Sequence, residues 1–121
     1  MRILIADGNE KDSDRFSSII PLALPTAKCY VCSSSDYLQD FLENFRLDYV
    51  FFGSYGTAMT VEKLLVVVKE FSKEIHVVHY SASLSKAQID AYKELGCHAA
   101  FERVDDVETA VIRLKELFTK K

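Results

Sequence analysis

Short apolar runs alternate with longer stretches of helical period along the whole chain. Five runs have the length and the β-branched and aromatic content of strands covered on both faces: Arg2–Ala6, Lys28–Cys32, Tyr49–Phe52, Ile75–Tyr80 and Ala99–Glu102. Between them the period becomes 3.6. Phe16, Ile19 and Ile20 mark a first helix, which Pro21 or Pro25 is expected to terminate. Leu38, Phe41, Leu42 and Phe45 stack at i, i+3, i+4 and i+7 in a second, and Val61, Leu64, Leu65 and Val68 repeat that spacing in a third. A fourth carries Ile89, Tyr92 and Leu95, starts at the capping box Ser85-x-x-Gln88 and stops at Gly96. The fifth carries Val107, Ala110, Val111, Leu114, Leu117 and Phe118. Asp105 or Asp106 is its expected N-cap, and Lys115, Lys120 and Lys121 lie near its negative end.

Strands alternating with helices imply a parallel sheet covered on both faces, and right-handed crossovers make it doubly wound. No linker, repeat or low-complexity tract interrupts the pattern, so residues 1–121 are expected to form a single domain. In such sheets ligands bind beyond the carboxyl ends of the strands, where strand order reverses. That rule selects Asp7-Gly8-Asn9, Gly53-Ser54-Tyr55-Gly56, Ser81-Ala82 and Arg103-Val104.

Composition narrows the function classes. The net charge of −3, from 15 basic and 18 acidic residues, is too mild for a nucleic-acid or membrane surface. The opening apolar run is shorter than a signal-peptide core, and Leu64–Val68 is far below a membrane span, so a cytoplasmic protein is expected. Cys29 and Cys32 form a C-x-x-C, but on a strand residues three apart point to opposite faces; with Cys97 they read as small apolar residues. His76 and His79 diverge in the same way, and His98 stands before the fifth strand, so structural roles and no metal site are expected. The loop Gly53-Ser54-Tyr55-Gly56-Thr57 lacks the endings of P-loops and dinucleotide folds. Its backbone N–H groups still leave a small-ligand or anion-sensing alternative open.

The order of these motifs resembles the response-regulator receiver domain over essentially the whole chain. The resemblance implies a flavodoxin-like (βα)5 sheet of order 2-1-3-4-5. In that family two adjacent acids end the first strand and help hold magnesium; here the place reads Asp7-Gly8. The third strand leads into the phosphoryl-accepting aspartate, and Asp48-Tyr49-Val50-Phe51-Phe52 leads into Gly53. Ser81-Ala82 matches the Ser/Thr-Ala that ends the fourth strand, while Arg103-Val104 stands where Lys-Pro belongs. Thr57 and Val61 replace the proline and glycine that follow the acceptor.

Phosphotransfer needs a carboxylate nucleophile and a hard cation with oxygen ligands. The resemblance therefore implies a pseudo-receiver: no enzyme and no cofactor, with a vestigial pocket of Asp7, Gly8, Gly53, Ser81 and Arg103. Glu10 and Asp12 are expected to serve the first helix, and Ser81 to be a small polar strand-end residue. Arg103 either pairs with Asp7, its guanidinium filling volume vacated at Gly53, or points to solvent. Restoring acids at Gly8 and Gly53 together is expected to recover more magnesium binding than Gly53→Asp alone. Ala100 takes the place of the family's switch aromatic, and Phe101 faces the other way. The implied function is docking of a protein partner within phosphorelay-type two-component signalling, a homodimer being one form. The implied face is the fourth helix, fifth strand and fifth helix, with Lys86, Asp90, Lys93, Glu94, Arg113 and Glu116 as candidates.

Overall fold

The computed structural model describes residues 1–103 and 106–119. Five strands, β1 (Arg2–Ala6), β2 (Lys28–Cys32), β3 (Tyr49–Phe52), β4 (His76–Ser81) and β5 (Ala99–Glu102), pair in parallel in the order β2-β1-β3-β4-β5. The doubly wound architecture is the one the alternating pattern implies. The helices between and after them are α1 (Glu10–Ala23), α2 (Leu38–Asn44), α3 (Val61–Phe71), α4 (Lys86–Leu95) and α5 (Val107–Thr119).

Strand parity divides the core into two layers. Leu4, Ala6, Val50, Phe52 and Val77 face α2 and α3, where Leu38, Leu42, Leu64, Leu65 and Val68 cover them. Ile3, Ile5, Tyr49, Phe51, Val78 and Tyr80 face α1 and α5, against Phe16, Ile19, Ile20, Leu114 and Leu117. Each large apolar side chain buried this way contributes roughly 1.5–3 kcal/mol. Cys32 lies in the first layer and Cys29 packs on the second, so the C-x-x-C sulfurs do diverge. α4 is the exception: it has no buried residue, and Ile89 and Tyr92 are only half-buried.

For α1 the structure decides between the two prolines, and the end of α2 and the bounds of β4 differ from the sequence reading. Pro21 does not end α1 but sits inside it, exposed, near the C-terminus. Its missing N–H leaves only the carbonyl one turn earlier without an intrahelical donor, and there solvent can supply one. The helix stops at Leu24, whose φ of −142° and ψ of 86° leave the helical region that the following Pro25 disfavours. Phe45 falls outside α2 in extended backbone, yet its ring still lies 4.4 Å from Tyr30 and 5.8 Å from Phe41. A 3-10 turn over Ser35–Tyr37 precedes α2. β4 runs one residue later than the apolar run suggested, because Ser81 pairs with Glu102 and its carbonyl accepts from the Arg103 N–H.

The caps follow the sequence. The Ser85–Gln88 capping box is complete, and Gly96 ends α4 at φ +120°, a conformation open to glycine. Asp106 accepts from the Thr109 N–H at 3.0 Å, the bond of an N-cap. Asp105, Val104, Lys120 and Lys121 lie outside the described residues.

Candidate functional site

The register of the sheet builds the site. Ala6 pairs with Phe52 and Phe52 with His79, so Asp7, Gly53 and Tyr80 stand side by side one step further on. All three share the parity of the layer under α1 and α5. With no side chain at Gly53, the Tyr80 phenol reaches across to Asp7. Its hydroxyl donates to Asp7 Oδ2 at 2.7 Å, while the Asn9 N–H donates to Oδ1 at 2.9 Å. Asp7 and Tyr80 are both 1% exposed. A Cβ built at Gly53 would lie 2.1 Å from Asp7 Oδ2 and 2.8 Å from the Tyr80 ring. The acceptor's slot is filled from its two neighbours.

The proposed Asp7–Arg103 pair is therefore corrected. Arg103 Nη1 instead bonds Asp12 Oδ2, and both side chains are about a quarter exposed or less. Asp7 already has a donor on each oxygen, and the volume assigned to the guanidinium belongs to Tyr80. Asp12 thus does more than serve the helix start, where Asn9 is the cap and accepts from the Asp12 N–H at 3.2 Å. Burial pushes the Tyr80 hydroxyl far above its usual range, reinforced by its bond to Asp7 and by the charges of Asp7 and Asp12. A phenol so held stays protonated and keeps donating. Tyr55, also buried, donates to the Cys32 carbonyl at 2.8 Å and ties the β3–α3 loop to β2.

Above this row opens a cleft of about 630 Å³, lined by the loops after all five strands. Asp7, Gly8, Gly53, Ser81 and Arg103 all reach it, together with Ser33, Ser34, Ser35, Ser54 and Gly56. Within the glycine loop the Gly56 N–H donates to Ser54 Oγ at 3.0 Å, and the Gly8 N–H of the β1–α1 loop donates to the Ser54 carbonyl at 2.7 Å. These residues do not fit the magnesium ion that the resemblance implies. Two of the three acidic positions are glycines, and both oxygens of Asp7 are engaged by donors.

A second groove, of about 600 Å³, runs between α4, β5 and α5. Lys93, Arg113 and Glu116 line it, while Lys86, Asp90 and Glu94 are exposed on α4 beyond its lining. Leu84, Ile89, Phe101 and Leu117 form its apolar floor beside Ala100. Phe101 also packs inward, 6.3 Å from Phe16.

The histidines are structural neighbours of these sites. His79 is buried, its Nδ1 2.9 Å from the Phe52 carbonyl, and burial lowers its pKa. The His76 and His98 rings lie tilted against each other at 4.2 Å, and the His98 pKa is lowered first by burial and then by the His76 and Lys69 charges. Among the described residues no group of three or more His, Cys, Asp or Glu side chains could hold a metal ion.

No family model matches the chain, and no curated protein matches its sequence. Solved structures do match its fold. The signal receiver domain of a DNA-binding response regulator (merR) from Colwellia psychrerythraea 34H superposes with a TM-score of 0.81, at 17% identity over 99% of both chains. The fold is that of a receiver domain. A CheY-like receiver domain protein from Methanospirillum hungatei JF-1 gives 0.76 at 16% identity, over 95% of this chain and 90% of its own. The beryllofluoride-activated NtrC4 receiver domain, solved as a dimer, gives 0.75 at 17% identity, over 97% and 95%. Among the described residues no helix of this receiver fold is long and apolar enough to cross a membrane.

Proposed function

We propose that this receiver-fold chain is a protein-docking module of two-component signalling that accepts no phosphoryl group and catalyses no reaction. The observation that carries the reading is the row Asp7–Gly53–Tyr80. Glycine offers no nucleophile, and the space beside it holds a carboxylate bonded to a phenol. What is left to recognise a partner is the groove between α4, β5 and α5, with an apolar floor and the charged rim Lys93, Arg113 and Glu116. An apolar centre inside a polar rim is the usual anatomy of a protein interface.

A second reading uses the cleft itself as a small-ligand site, favoured by its volume and its five serines, Ser33, Ser34, Ser35, Ser54 and Ser81. One experiment separates the two: affinity capture with the native chain, with Lys93→Glu plus Arg113→Glu, and with Ala82→Trp, which crowds only the cleft. Docking through the groove requires that the double charge reversal weakens capture of a partner at least tenfold and that Ala82→Trp leaves it unchanged. Capture lost only in Ala82→Trp would move the function to the cleft.

A further inference from the structure

α4 packs on the fold through Tyr92, whose ring meets His79 edge-on at 4.7 Å, and through the half-buried Ile89, and it is tied by backbone hydrogen bonds at its two ends. Its own side chains bury nothing completely, with Ile89 and Tyr92 half-buried at best. At the C-terminal end, Gly96 turns the chain and the His98 N–H donates to the Val77 carbonyl at 2.8 Å. At the N-terminal end, the Ser85 capping box closes only on α4 itself. Two contacts lead outward one residue before the cap: the Leu84 side chain is buried, and its N–H donates to Glu102 Oε1 at 2.9 Å.

Glu102 is also joined to α5, since Arg113 Nη1 donates to its carbonyl at 3.2 Å. Its chain neighbour Arg103 donates its N–H to the Ser81 carbonyl at 2.7 Å. One residue at the end of β5 thus ties together the β4–α4 loop, β5 and α5. The loop leads directly into α4, which with β5 and α5 forms the groove, and Leu84 itself lies on its floor. The carboxylate oxygen accepts at the point where the chain enters a helix that buries no side chain completely.

We infer that Glu102 is a strut that fixes the start of α4 and keeps the groove preformed, so that a partner meets one ready-made surface. The inference deepens the docking reading and rests on it for its purpose, but the strut is measurable without any partner. Preorganisation of this kind lowers the ordering cost of association.

The test is backbone amide relaxation dispersion on the full chain and on two variants. Glu102→Ala removes the acceptor, whereas Glu102→Gln keeps a carbonyl oxygen in its place. In the native chain, amides from Ser81 to Leu95 are expected to show no microsecond-to-millisecond exchange. Exchange is expected throughout that segment in Glu102→Ala, and it should be absent again in Glu102→Gln. Glu102 is exposed, so its replacement is not expected to unfold the chain. Exchange already present in the native chain would overturn the strut, as would a quiet Glu102→Ala. So would a Glu102→Gln as mobile as the alanine variant, because acceptance from Leu84 would then not be what holds the helix. Failure here leaves the capture experiment standing, and failure of capture leaves the strut standing.

Discussion

Gly53→Asp is expected to destabilise the chain by about 3–5 kcal/mol and to restore neither magnesium binding nor a phosphoryl acceptor. The first added atom already meets Asp7 Oδ2 at 2.1 Å and the Tyr80 ring at 2.8 Å. Neither neighbour is a loose end. Asp7 is bonded on both oxygens, and Tyr80 lies against the Phe16 ring at 4.1 Å. The new carboxylate would also stand beside a buried one, a like-charge pair in a low-dielectric site. Urea unfolding measures the effect. A Gly53→Asp variant within about 0.5 kcal/mol of the native chain would mean the row has room after all. Shrinking the neighbour supplies the control, because Gly53→Asp with Tyr80→Val should be less destabilised than the two single changes added together. Gly8→Asp is different, since a Cβ there meets its nearest atom at 3.3 Å and has only slight adjustment to force. Restoring both acids therefore runs into the obstruction at Gly53, whatever Gly8 contributes.

Tyr80→Phe is expected to cost about 2–3 kcal/mol, although it removes a single oxygen. It leaves one oxygen of a buried carboxylate without its donor, and the apolar ring above cannot replace it. Asp7→Asn should cost a comparable amount, because the amide loses the charge that the phenol answers. The decisive quantity is the coupling between them in a double-mutant cycle, expected at about 1 kcal/mol or more. Asp7→Asn with Arg103→Ala should instead be additive, since Arg103 bonds Asp12. Additivity in the first cycle and coupling in the second would restore the Asp7–Arg103 pair and remove Tyr80 from the site.

The sheet, its order and four of its five strand boundaries were legible because buried parallel strands are short apolar runs between helical periods. Asp7, Gly53, Ser81 and Arg103 were legible as strand-end positions. Tyr80 was not singled out, although the signal was present. Parity places it in the same row as positions 7 and 53, but it sat inside an apolar run and read as core. The partner of Arg103 was harder, because Asp12 lies on a helix and its approach depends on where α1 crosses the sheet. Glu102 was hidden for a related reason: its role depends on a backbone N–H of a loop, which no side-chain pattern announces.

The most direct measurement is a pair of amide NMR spectra of the native chain, without and with magnesium and beryllofluoride, a mimic of the phosphoryl group. A row closed by Asp7 and Tyr80 predicts unchanged peaks at Asp7, Gly53, Tyr80 and Ser81. Saturable shifts at those four residues would mean that the pocket still takes a phosphoryl group and a metal, and that the chain is a working receiver.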